Sequence, residues 1–133
     1  MARLAVVNAV EARLAANWSR SPVIGMVHKD ERPDGTASFL GVQYPVANTI
    51  RLSVGTRRYQ EEGGIRLVLQ MARDEDPAVM MQWADELADL FRDQTFDGVR
   101  CLQPTSPFID DNNDEGNFYS LSIVVPYLHE YQG

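Results

Sequence analysis

Residues 65–91 read IRLVLQMARDEDPAVMMQWADELADLF, and the fold turns on the change of rhythm inside this stretch. Ile65, Leu67, Leu69 and Met71 alternate with Arg66, Val68 and Gln70. That period of two puts the apolar set on one side of a strand. From Asp76 the period lengthens. Met80, Trp83, Ala84, Leu87, Leu90 and Phe91 recur at steps of three and four, the repeat of an amphipathic helix. Asp76 suits the N-cap and Pro77 the first helical position, where a missing N–H costs nothing. The helix is expected to pack on a sheet through Met80, Trp83, Leu87, Leu90 and Phe91. Asp85, Glu86, Asp89 and Asp93 fall mainly on its other faces.

Working outward, Val7, Val10, Leu14 and Trp18 predict a first helix near residues 3–18, with Glu11, Arg13 and Asn17 off the apolar face. Residues 23–28 read as a short extended segment, and Pro33-Asp34-Gly35 marks a turn in a charged loop. Phe39 to Tyr44 reads as a strand stopped by Pro45. Ile50, Leu52 and Val54 alternate with Arg51 and Ser53 as a second, one-sided strand. Thr56 to Gly64 is expected to be a polar loop joining it to an antiparallel partner at 65–71. After the second helix come Asp97-Gly98, a strand near 99–104, a loop from Thr105 to Asn117, a central strand from Phe118 to about Tyr127, and a short tail. The order helix, three strands, helix, two strands predicts an α+β fold: a mostly antiparallel sheet of about four to five strands with two α-helices packed on one face.

The chain of 133 residues is the length of one domain, taken as 1–133. Cys101 is its single cysteine, so no internal disulfide can form, which points to a reducing or redox-indifferent compartment. A zinc knuckle is equally excluded. No stretch has the apolar length to cross a bilayer, and the N-terminus reads as an amphipathic helix of a protein made in the cytoplasm. The net charge of -7 argues against bulk binding to nucleic-acid phosphates.

No chemistry-bearing constellation stands out. Asp110 to Gly116 is acidic, but in a calcium loop the twelfth position must be Glu, and here it falls on Leu121 or Ser122. Those residues are the usual ones of a solvated turn. Asp85 and Asp89 lie one turn apart without a partner base, which fits a solvated helix face better than an acid–base pair. His28 and His129 have no metal-ligand spacing to each other or to Cys101, and Cys101 reads as a small buried hydrophobe. No serine or threonine sits in a nucleophile elbow, and no glycine-rich strand-to-helix turn offers a phosphate site. No cofactor and no metal are therefore expected. Arg57-Arg58-Tyr59 is the one basic, aromatic spot, of the composition favoured at protein–protein contacts. A head-to-tail contact would set it against Asp85, Asp89 and Asp93.

Six strings in order resemble the tail terminator, or tail completion, proteins of long-tailed bacteriophages and related tail-like particles. They are Phe39-Leu-Gly-Val-Gln-Tyr-Pro45, Ile50-Arg-Leu-Ser-Val-Gly55, Gly64-Ile-Arg-Leu-Val-Leu-Gln70, Ala84-Asp-Glu-Leu-Ala-Asp-Leu-Phe91, Phe96-Asp-Gly-Val99 and Tyr119-Ser-Leu-Ser-Ile-Val-Val-Pro-Tyr127. The resemblance runs from residue 39 to near the end, and the opening helix fits it. It implies a non-enzymatic virion subunit that forms a homo-oligomeric, hexameric ring at the head-proximal end of the tail tube. Such a ring stops tube polymerisation and offers a surface to the head connector or neck protein. Its partners would be itself, the tube protein and the connector, with DNA passing through the ring unread. A head–tail joining or minor tail protein shares this architecture. A small-ligand-binding or enzymatic α+β domain stays open as a different class, and would need a pocket with convergent polar groups.

Overall fold

The computed structural model describes residues 2–30, 38–72, 76–110 and 118–132. Two helices, α1 (Leu4–Asn17) and α2 (Pro77–Phe91), accompany seven strands: β1 (Val23–Ile24), β2 (Phe39–Arg51), β3 (Arg58–Ala72), β4 (Thr95–Phe96), β5 (Val99–Cys101), β6 (Phe108–Asp110) and β7 (Phe118–Gln132). The strands form one sheet in the order β1-β2-β3-β7-β5-β4, with β6 also paired to β7. The α+β expectation holds, but the sheet is larger than the four to five strands expected, and it is mixed. β1 runs parallel to β2, while the other pairings are antiparallel.

The extra strands have local causes. β5 and β4 close a hairpin on Asp97-Gly98, both at positive φ (47° and 79°), the backbone that a tight two-residue turn requires. β6 lies inside the segment expected to be a loop, and β7 continues through the expected tail to Gln132. The largest departure concerns Pro45, which does not end its strand. Pairing runs Gln43↔Arg66 and then Val46↔Gly64, so one extra residue is accommodated at Tyr44-Pro45. Proline has no N–H to give a ladder, and a bulge asks for none. The strand expected at 39–44 thus runs on to Arg51 and takes in only the first two residues of the one expected at 50–54, while the polar loop expected at 56–64 is mostly the beginning of β3.

The core lies on one side of the sheet. Leu40, Val42 and Tyr44 of β2, Ile65, Leu67, Leu69 and Met71 of β3, and Leu121, Ile123, Val125 and Tyr127 of β7 are buried there with the inner faces of both helices. Val7, Val10 and Leu14 of α1 and Trp18 directly after it are buried as expected, and so are Met80, Leu87 and Phe91 of α2. Trp83 and Leu90 are only partly buried against this core. The Trp83 ring meets Trp18 edge to face at 5.8 Å, in the seam between the helices.

Glu11 is the residue that the helical pattern misplaces. It is 2% exposed. Its Oε1 accepts the backbone N–H groups of Val27 (2.9 Å) and His28 (2.7 Å), and its Oε2 accepts the backbone N–H of Met26 (3.2 Å) and the O–H of Tyr44 (2.7 Å). A carboxylate taken out of water is tolerated when its lone pairs are filled, and three successive N–H groups make an anion nest. Gly25 is required beside it, since a Cβ there would run into the Glu11 carboxylate. Glu61 repeats the arrangement. Also 2% exposed, it accepts the Tyr127 hydroxyl (2.9 Å) and the backbone N–H of Arg3 (3.1 Å). α1 has no side-chain cap of its own, so Glu61 brings a negative charge to its N-terminus from the sheet.

Four substitutions test this account by urea unfolding. Glu11→Gln should cost about 2–3 kcal/mol, because the amide NH2 faces N–H donors and leaves one unpaired. Asp89→Asn, on an exposed carboxylate, should stay within about 0.5 kcal/mol. Trp83→Ala should cost about 2 kcal/mol, less than Leu87→Ala, because only Leu87 leaves a closed cavity. Equal losses for Glu11→Gln and Asp89→Asn would remove Glu11 from its structural role.

Candidate subunit interface

Beyond Tyr44 no residue of β2 is buried. The strands β2 and β3 run on as an arm, Val46↔Gly64 to Arg51↔Tyr59, closed by residues 52–57. β7 backs the arm along its whole length, to Arg58↔Gln132. β1 pairs only with Leu40 and Gly41, so among the described residues β2 has no strand on its outer edge from Val42 onward. An unpaired edge offers N–H and C=O groups to another chain.

The bulge decides which way the arm faces. Up to Tyr44 the even-numbered residues of β2 point into the core. After the shift, Ala47 and Thr49 pair with the core-side Gly63 and Glu61, and Val46, Asn48 and Ile50 turn away. Of the expected alternation Ile50, Leu52 and Val54, only Ile50 lies in the strand, and it faces solvent, with Leu52 and Val54 following in the tip. Val46 is 58% and Ile50 47% exposed, and Val54 at the tip is 96% exposed. The sequence pattern carried the strand and concealed the direction, because a one-residue shift has no composition of its own.

The structure sets Arg58 and Tyr59 at the start of β3 and Arg57 just before it, at the tip of this arm and not in a long loop. Arg58 pairs with Glu130 at 3.1 Å. Tyr59 is half-buried and stacks on Tyr131 at 5.5 Å, which in turn stacks on His129 and lies under the Arg3 guanidinium. Tyr59 thus stiffens the base of the arm tip. Arg57 is exposed and makes no ion pair or hydrogen bond among the described residues. Asp85, Asp89 and Asp93 are all exposed at α2. Asp89 pairs with Arg92 at 2.5 Å, and Asp93 takes φ 54°, the left-handed turn that ends the helix. Within one chain the two groups are not brought together.

The other candidate residues have structural places. The His129 ring bonds the Gly98 carbonyl through Nδ1 at 2.9 Å, and His28 meets Asp30 at 3.1 Å. The acidic run after Asp110 and the turn at 33–35 lie outside the described residues. A groove of about 400 Å³ lies between α1 and α2. Its charges are already engaged: Arg20 with Glu86 at 2.7 Å, and Arg13 Nε with the Leu90 carbonyl at 2.8 Å. Cys101 is buried, and burial pushes its thiol up to about 11. Burial first, then hydrogen bonds to Glu11 and Glu61, raise the Tyr44 and Tyr127 hydroxyls as well.

Against known proteins, a family model described as "Phage tail terminator protein" matches residues 5–127. No curated protein matches in sequence. One solved structure, 21% identical, superimposes with a TM-score of 0.62 over 100% of this chain and 99% of its own. At that identity the likeness establishes the fold alone.

The lowered acidity of Cys101, Tyr44 and Tyr127 makes stability depend on pH on the alkaline side. The folded chain holds Cys101, Tyr44 and Tyr127 protonated where the unfolded chain would release the protons. Their contribution is complete below the unfolded thiol value near 9 and is lost as pH rises through 9 to 11 and beyond. The urea midpoint should fall across that window, and Cys101→Ala should flatten the first part of the fall. A thiol reagent at pH 8 should label Cys101 only after unfolding. Rapid labelling of the folded chain would contradict the buried placement.

Proposed function

Since the chain belongs to the phage tail terminator protein family, a structural family of the phage tail, we propose that it forms a homo-oligomeric ring at the head-proximal end of the tail tube. There it stops tube polymerisation and presents the surface to which the head connector or neck protein binds. The observation that carries this reading is the extent of the family match, which takes in both helices and all but the last few residues of the sheet. A structural role is also what the side chains support. The buried carboxylates are spent on holding α1, and the groove between the helices has its charges paired internally.

The working surface in this proposal is the arm. Arg57 is free to bond a partner, and the stack of Tyr59 on Tyr131 stiffens the strand that follows it. Arg recognises carboxylates through a planar set of donors. Asp85, Asp89 and Asp93 of a neighbouring copy, or acidic groups of the tube protein, are its complement. The assembly would be made in the bacterial host cytoplasm and carried in the virion tail, with DNA passing through the ring and no sequence-specific contact to it.

Purified chain added to polymerising tube protein should shorten the tubes in proportion to dose, as seen by electron microscopy. The double variant Arg57→Glu, Arg58→Glu should keep the fold, since it loses only an exposed ion pair worth about 0–1 kcal/mol. It should stop tubes at least about tenfold less effectively, the loss of one modest hot-spot contact. Undiminished capping by the folded variant would remove the arm charges from the working surface.

A further inference from the structure

Two apolar surfaces stay uncovered, and they lie on opposite sides of the sheet. The first is the outward face of the arm, where Val46, Ile50 and Leu52 are exposed. The second is the solvent side of α1. That helix has only two charged residues, Glu11 and Arg13. Glu11 is buried, and Arg13 turns back to the Leu90 carbonyl and the Phe96 ring. Its outer side is left without charge, which is unusual for a helix in water. Beside it stands the turn that Glu11 pins from beneath, with Met26 at 44% and Val27 at 57% exposure. Val27, Asn8 and Ala12 line a shallow groove there.

We infer that these two surfaces are the halves of one head-to-tail contact, in which the apolar strip of the arm of one copy seats on the α1–Val27 surface of a second copy. This rests on the oligomeric reading above and names its partner surface. Charge selects the occupant. The chain carries a net charge of -7, yet the arm end bears Arg51, Arg57 and Arg58, with Glu130 paired to Arg58 alone. α2 lies beside α1 through the Trp18–Trp83 contact, and exposes Asp85, Asp89 and Asp93. A second copy thus offers an apolar seat with an acidic flank to an apolar strip with a basic end. Two different patches on opposite sides of one subunit cannot cover each other within it. A repeated heterologous contact covers both in every subunit at once. The seat is also prepared in advance, because three hydrogen bonds to Glu11 fix the turn that carries Val27, and the Tyr44 hydroxyl holds Glu11 itself.

The test uses one variant for each half, Ile50→Asp on the arm and Val27→Asp on the seat, with Leu52→Asp in reserve should Ile50→Asp misfold. Both should retain the far-ultraviolet circular dichroism and urea midpoint of the wild type. Sedimentation or native mass measurement should find wild type assembled and each variant alone monomeric, with Kd raised at least about 30-fold. Mixed in equal amounts, the two variants should form dimers and stop there, since only one intact arm meets one intact seat. Either folded variant assembling as wild type does would overturn the inference. So would a mixture that remains monomeric, or a wild type that remains monomeric at every concentration. Tube capping is read separately. Capping by a chain that does not self-assemble sinks this contact and keeps the terminator reading, whereas self-assembly without capping keeps the contact and sinks that reading.

Discussion

The unbroken pairing of β3 with β7 is the constraint on which the rest of the molecule depends. It runs from Arg58↔Gln132 to Ala72↔Phe118 without a shift in register. The helices cover only part of a ladder this long. One end becomes the floor of the core, under α1 and α2. The other end has to run on past the helices, and the arm is the result. An isolated two-stranded hairpin is marginal in water, and a third strand behind it is what lets it stand. β7 provides that third strand by continuing through Pro126 to Gln132.

The two buried carboxylates settle where α1 lies on this platform. Apolar contact alone would let a helix of small residues slide, because hydrophobic burial has no direction. Glu61 fixes the helix start and Glu11 fixes its middle, each through a tyrosine hydroxyl from the sheet and backbone N–H groups. Gly63 belongs to the same design, since a Cβ there would collide with the Tyr127 ring. The polar residues in the core therefore specify position, and the apolar ones supply the cohesion.

Both helices, the strand character of 65–71 and 118–127, the cap at Asp76 and the Asp97-Gly98 turn were legible in the sequence, because each is written in residues that are neighbours in the chain. What could not be read depends on partners far away. Glu11 looks like a solvent residue by its helical position, and only Tyr44 and the 26–28 turn explain its burial. Glu61 looks like part of a neutral loop until Tyr127 meets it. The interface candidates divide in the same way. The chemistry of Arg57 and the exposure of Asp85 were visible in residue type, whereas the strand setting of Arg58 and the stacking of Tyr59 on Tyr131 rest on the length of β7. The apolar strip at Ile50 and Leu52 was noticed as a pattern, and its outward direction follows from pairing alone.

The bulge at Tyr44-Pro45 lets one strand carry two opposite rhythms. Before it the even-numbered residues of β2 face the core, and after it the odd-numbered ones take the inner side. The arm's faces are held beyond the bulge, by the pairing of Val46 with Gly64 through Arg51 with Tyr59. Loss of the one extra residue would therefore straighten the strand and leave Val46 opposite Gly64, with the same side presented. A slip of the arm's own pairing by one residue is different in kind, because it would carry Val46 and Ile50 inward and turn Thr49 and Arg51 outward in one step. The bulge thus works as a coupling between two segments of fixed phase, and it insulates the presented strip from changes in the length of chain that leads to it.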